Sequence, residues 1–156
     1  MKSPIKGVII KELTARRDKR GWLAELFRSD ELSATSQPVM AYLSSTKPGV
    51  ARGPHEHRKQ SDLFCFLGIS TFRIYLWDNR KKSPTYKRKF ICNCAKNKPI
   101  LVIVPPGVVH AYKNIGKTDG LVLNAPNRLY RGSYRAQKPD EIRHEENPDS
   151  PFKLNG

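Results

Sequence analysis

The sequence predicts an all-β fold, a barrel or sandwich of the jelly-roll type, and three observations carry that prediction. Short apolar runs recur roughly every ten residues along most of the chain, the spacing of strands joined by tight turns. Twelve prolines and ten glycines punctuate the chain, and both residue types favour turn conformations. A length of 156 residues with 38% hydrophobic and 28% charged composition fits one soluble domain with a real core.

Each element follows from local pattern. Residues 5–13 (IKGVIIKEL) predict an opening strand, and residues 18–27 (DKRGWLAELF) a turn running into a strand on which Trp22, Ala24 and Leu26 alternate. Residues 29–34 predict one helical turn, with Ser29 and Asp30 as caps. Residues 39–46, 63–67, 71–77, 89–94, 100–104, 110–114 and 120–124 then predict strands, separated by turn residues such as Pro48-Gly49, Gly68 and Gly116. After Tyr130 the chain becomes polar and proline-broken. The expected organisation is one domain over residues 1–156, a barrel at 7–130 and an irregular segment at 131–156 packed over the barrel or near its mouth.

The charge asks for an anionic partner. Lys and Arg number 29 against 14 Asp and Glu, a net charge of +15, which suits nucleic acid or a phosphorylated ligand. No zinc finger, RNP sequence or helix-turn-helix pattern accompanies it, so nucleic acid is not expected. The basic stretch at residues 80–89 (RKKSPTYKRK) reads equally as a solvated hairpin tip or a phosphate-binding face. No signal-peptide layout and no apolar run of bilayer length is present, so the expectation is a cytoplasmic protein with no membrane partner. Cys65, Cys92 and Cys94 match no zinc spacing, and their odd number argues for reduced thiols.

Chemistry concentrates in two segments. Residues 52–62 (RGPHEHRKQSD) and 105–114 (PPGVVHAYKN) hold three of the four histidines. His55 and His57, two apart on a strand, share a face, and a barrel can bring His110 alongside from its Pro-Gly turn. Such a cluster is either a metal site or an acid/base site.

The run from Gly49 through His55, His57 and Gly68, followed by Pro105 to His110 and Asn114, resembles the two motifs of the cupin superfamily. In metal-binding cupins this pattern implies His55, His57 and His110 as ligands, with Asp62 as the carboxylate, around iron, manganese, nickel or zinc. A second resemblance uses the same histidines without metal. Arg20-Gly21 after Asp18, Arg52-Gly53 before His55, Gln60, residues 78–85 (DNRKKSPT) and Pro106 to His110 together resemble the dTDP-4-dehydrorhamnose 3,5-epimerase family, over residues 7–130. That resemblance implies a homodimeric cupin without a cofactor, whose N-terminal strands pair with the partner sheet. Its substrate would be a nucleotide-linked 4-keto-6-deoxy sugar destined for surface polysaccharide.

In that family the His of RGxH is the general base, which points to His55. A proton alpha to a ketone is acidic enough for imidazole once the ketone oxygen is stabilised as an enolate, and His titrates near neutrality. Arg52 matches an arginine that holds phosphate or oxyanion. Arg20 matches one that reaches the diphosphate across the dimer interface, and His110 and Gln60 match substrate-pocket residues.

The family's general acid is a tyrosine six residues before a second tyrosine on the last barrel strand. Counting back from Tyr130 places Asn124 there. His57 is instead similar to the dTDP-sugar 3,4-ketoisomerases, whose RGxHAHKK segment resembles RGPHEHRK and whose two histidines shuttle the proton. The second proton carrier is therefore expected to be His57 or Tyr130, with Asn124 in the substrate pocket. The competing expectations are the metal cupin and a sugar-binding cupin that lacks its acid. Asp78 and Ser83 are expected to be structural, and Trp22 and Trp77 to be packing residues.

Overall fold

In chain order the strands are β1 (Ile9–Glu12), β2 (Ala15–Asp18), β3 (Gly21–Ala24), β4 (Tyr42–Thr46), β5 (Ala51–Glu56), β6 (Asp62–Phe66), β7 (Phe72–Asp78), β8 (Lys89–Cys94), β9 (Ile100–Val104), β10 (Val108–Asn114), β11 (Gly120–Asn124) and β12 (Ile142–Arg143). The structure is a computed structural model that describes residues 1–155. β1-β9-β6-β11-β4 form one antiparallel sheet, β12-β5-β10-β7-β8 a second, and β2-β3 a separate hairpin. The fold is all-β, a cupin-type jelly roll, as the strand pattern predicts.

Period-two alternation explains the core. Ile100, Val102 and Val104 of β9 point between the two sheets and meet Phe72, Ile74 and Leu76 of β7, together with Phe64, Phe66, Tyr112 and Val122. The intervening Leu101 and Ile103 face outward and pack with Leu63, Cys65, Leu26 and Leu32. Tyr75 and Trp77 on the outer face of the second sheet are covered by Phe152 and Leu154. These strands read as unbroken apolar runs because both faces are buried. Cys65, Cys92 and Cys94 are free and buried, and burial pushes the Cys65 thiol up to about 12.

Three local expectations change. The expected strand at residues 18–27 is the return arm of a hairpin whose first arm, Ala15–Asp18, has only Ala15 as an apolar signal. Residues 29–31 and 34–36 do make 3-10 turns, but Ser29 and Asp30 do not cap them: Asp30 pairs with Arg28 at 2.6 Å instead. The C-terminal segment is not wholly irregular, since Ile142 and Arg143 pair with Glu56 and His55 of β5. Gly156 of the expected 1–156 unit lies outside the described residues.

The loop after β7 closes on Asp78. Its carboxylate accepts hydrogen bonds from Arg80 Nε (2.8 Å), Ser83 Oγ (2.6 Å) and Thr85 Oγ1 (2.5 Å). Burial opposes the charged form, but the Arg80, Ser83 and Thr85 donors outweigh it and hold the carboxyl well below its ordinary range. Asp78 and Ser83 are structural, and residues 80–89 form a hairpin tip.

Candidate active site

Strand register builds the site. β10 lies between β5 and β7, and His110 stands directly opposite His55. The pairing shifts between His110 and Tyr112, at the level of Gly53 and Pro54. Gly53 has φ +78°, and a Cβ there would lie 2.6 Å from the His110 carbonyl oxygen; only glycine combines that backbone angle with that approach. The ring centroids of His55 and His110 are consequently 4.5 Å apart, and His57 stands 5.8 Å from each. These rings lie against a cleft of about 1420 Å³ that His55 and His57 line, along with Arg52, Gln60, Tyr42, Tyr130 and part of the C-terminal segment.

Asp62 anchors the cluster from β6. Its Oδ2 lies 3.0 Å from His57 Nε2 and 3.4 Å from His110 Nε2. Its Oδ1 accepts from Gln60 Nε2 at 2.9 Å and from Asn124 Nδ2 at 3.1 Å. Burial disfavours its charge, yet His110 and His57 outweigh burial and hold its pKa well below the carboxylate range. Burial likewise disfavours a charged His57, but Asp62 raises that pKa above its ordinary value. His57 Nδ1 is occupied as well, donating to the Asp140 carbonyl oxygen.

His55 has the opposite electrostatics. Burial first, then the neighbouring His110 and His57, push its pKa down to about 2. The ring is therefore neutral at physiological pH and keeps a lone pair. Glu145 Oε1 stands 3.8 Å from His55 Nδ1, close enough to stabilise an imidazolium when one forms.

The remaining expected residues divide. Arg52 is at the cleft, held by Thr46 Oγ1 at 3.0 Å and the Ser45 carbonyl at 2.9 Å. Tyr130 stands at its rim, 52% exposed. Asn124 is buried and donates to Tyr42 Oη at 2.7 Å. Arg20 is not brought to the histidines of its own chain. It lies at the tip of the β2-β3 hairpin, paired with Asp18 at 2.6 Å, because two short exposed strands carry it away from the barrel.

The C-terminal segment packs over the barrel and at the cleft mouth, as expected, but its particular contacts were not foreseen. The Asp140 carboxylate accepts the backbone N–H groups of Arg58 (3.1 Å), Lys59 (2.8 Å) and Gln60 (2.9 Å), an anion set in a nest of successive amides. His144 Nε2 meets Glu56 Oε1 at 2.9 Å and its ring packs on Phe152, so the fourth histidine ties the segment down. The polar run at residues 138–147 offered a turn signal but no hint of these partners. Tyr42 was missed as well.

The three imidazoles also offer a donor set for a divalent cation. One nitrogen from each of His55, His57 and His110 lies within 4.8 Å of the others, and this chemistry suits the metals of the cupin pattern.

A jelly roll whose facing strands gather three histidines beside a cleft defines the class: a cupin enzyme. The sequence profile of the dTDP-4-dehydrorhamnose 3,5-epimerase family matches residues 2–142. The spore coat polysaccharide biosynthesis protein SpsL of Bacillus subtilis (strain 168) is 33% identical over 89% of this chain and 88% of its own length. The "Probable low-salt glycan biosynthesis epimerase Agl13" of Haloferax volcanii is 36% identical over 89% of this chain and 86% of its own. In fold, a dTDP sugar isomerase from Desulfovibrio desulfuricans G20 superimposes with a TM-score of 0.81 at 24% identity, covering 96% of this chain and 92% of that one. The chain belongs to the dTDP-4-dehydrorhamnose 3,5-epimerase family.

Proposed function

We propose that this protein is a metal-independent epimerase or isomerase of a nucleotide-linked 4-keto-6-deoxy sugar, acting in the cytoplasm on a precursor of surface polysaccharide. The observation that carries the reading is His55: neutral, partly buried, opposite His110 and open to the cleft. In this reading His55 removes the proton alpha to the C4 ketone, and its charge then falls beside Glu145. Arg52 stabilises the enolate oxygen or orients the sugar, since a guanidinium is a donor suited to developing negative charge, while His110, with Nδ1 at the Val108 carbonyl and Nε2 toward Asp62, stands behind the His55 ring and holds it toward the sugar. Gln60 and Asn124, both on Asp62, shape the sugar pocket. The cleft wall carries Arg58, Lys59, Arg128, Arg131 and Lys138, a cationic surface fitted to a diphosphate.

His57 has both ring nitrogens engaged, by Asp140 and by Asp62, which favours positioning over proton shuttling. Tyr130, expected as the other proton carrier, stands at the cleft rim with no hydrogen bond to its hydroxyl among the described residues. We further propose a homodimer within which one chain's β2-β3 hairpin offers Arg20 to the partner's cleft, a single cupin domain serving as one catalytic unit.

The test is incubation with a dTDP-4-keto-6-deoxy sugar in deuterated water. Wild type should take up deuterium at C3 or C5 and His55→Ala should not; absence of uptake in the wild type sinks the reading. The spacing of the histidine nitrogens favours one alternative, a cation held by His55, His57, His110 and Asp62. Elemental analysis of the purified protein separates the two, because a stoichiometric divalent metal whose removal abolishes activity overturns the metal-free account.

A further inference from the structure

Asn124 occupies the place where the family pattern carries its acidic tyrosine, yet a tyrosine stands one strand away. Asn124 of β11 and Tyr42 of β4 are register partners, so their side chains leave the sheet on the same face at adjacent positions. Asn124 Nδ2 is 2.7 Å from Tyr42 Oη and 3.1 Å from Asp62 Oδ1. An ionised carboxylate only accepts hydrogen bonds, so the amide nitrogen, not its oxygen, must face Asp62 and hence Tyr42. The Tyr42 oxygen therefore accepts. Its own hydrogen is not spent on Asn124, and Tyr42 Oη has no second hydrogen-bond partner among the described residues. Tyr42 lines the same cleft as His55.

From this geometry, and resting on the function proposed above, we propose that Tyr42 is the general acid of this enzyme. β4 supplies the hydroxyl that the family pattern places on β11, from the register partner of Asn124. The other tyrosines fit less well. Tyr112 is packed among Phe64, Phe66 and Phe72 with its hydroxyl 3.3 Å from Ser44 Oγ. Tyr130 is about as exposed as Tyr42, at 52% against 48%, but it lies beyond the end of β11 and no hydrogen bond among the described residues fixes its hydroxyl, whereas Asn124 fixes that of Tyr42.

The step balances without any co-reactant. His55 accepts the proton from the carbon beside the ketone, and the C–H electron pair moves into the enolate. When the enolate collapses, the same carbon takes the Tyr42 hydroxyl proton from the opposite face, forming a C–H bond as the O–H bond breaks. The tyrosinate left behind keeps the Asn124 N–H as a donor. Imidazolium then loses its proton to solvent and tyrosinate regains one. Burial, then the Asp62 charge, push the Tyr42 hydroxyl up to about 12, which keeps it protonated until it reacts.

Tyr42→Phe separates the two proton transfers. With the dTDP-4-keto-6-deoxy sugar in deuterated water, this variant should retain His55-dependent deuterium uptake while forming inverted product at least ~100-fold more slowly, the range of a lost acid. Tyr42→Asn alone should show the same loss, and the exchange Tyr42→Asn with Asn124→Tyr should recover at least ~10-fold by returning the hydroxyl to β11. Product formation by Tyr42→Phe at the wild-type rate, or loss with Tyr130→Phe in its place, overturns the assignment alone. Absence of uptake in the wild type overturns the functional reading, and the assignment with it.

Discussion

His55 and His57 are two residues apart and shift in opposite directions, because burial and then neighbouring imidazoles act on one, while a carboxylate outweighs burial at the other. The consequence for catalysis is direct. His55 is pushed down to about 2, so kcat/KM should stay level from pH 8 to about pH 5, without the acid limb that an unperturbed histidine at 6.5 would impose. For stability the signs differ. A histidine whose folded pKa is lowered leaves the unfolded chain binding more protons below 6.5, so wild type should lose stability as pH falls from there. His55→Asn should show a shallower fall in melting temperature between pH 6.5 and 5. His57 is raised, and its contribution is present below 6.5 and lost as pH rises through its folded value. Asp62 is lowered, and its contribution is present above 3.8 and lost as pH falls through its folded value. The pair should be most stabilising between those limits. The HxH spacing made both histidines visible in the sequence, but their unlike titration was not, because Asp62 and Asp140 approach His57 from elsewhere in the chain.

The β5 edge of the second sheet holds the site by two devices. The first is Gly53, where backbone angle and the close His110 carbonyl exclude a side chain. Gly53→Ala should cost about 2 kcal/mol or more in denaturant unfolding and should reduce turnover by displacing His55. The second is β12, whose Ile142 and Arg143 pair with Glu56 and His55 and set Asp140 against the loop that follows β5. Asp140→Ala strips three backbone N–H groups of their acceptor, and loss on the order of 2 kcal/mol is expected. Its mark should be a raised KM, because the loop that freed residues 58–60 form lines the cleft. RGPH was legible as a motif, whereas its clamp was not: a turn-rich polar segment carries no pattern that names its partner.

Across the molecule, the +15 charge divides between a cleft with several cations and a solvated remainder. Capture of a diphosphate by the cleft should weaken with salt, and KM should rise severalfold between 0.05 and 0.5 M NaCl while kcat holds, as screening shortens the reach of the charges. The β2-β3 hairpin leaves Trp22 and Leu23 exposed, at 45% and 68%, beside Arg20. Sedimentation should find a dimer, and Leu23→Glu should weaken it and raise KM together, since both effects trace to the same hairpin.

Most strand positions and the gathering of His55, His57 and His110 were legible along the chain. They depend on period-two alternation and turn chemistry, which act between near neighbours. The pairing of Tyr42 with Asn124, the nest around Asp140 and the placement of Arg20 away from its own chain's cleft arise from register and from the path of a hairpin and a tail. Those are relations between residues far apart in sequence, settled by which strands lie side by side, and no local pattern encodes them.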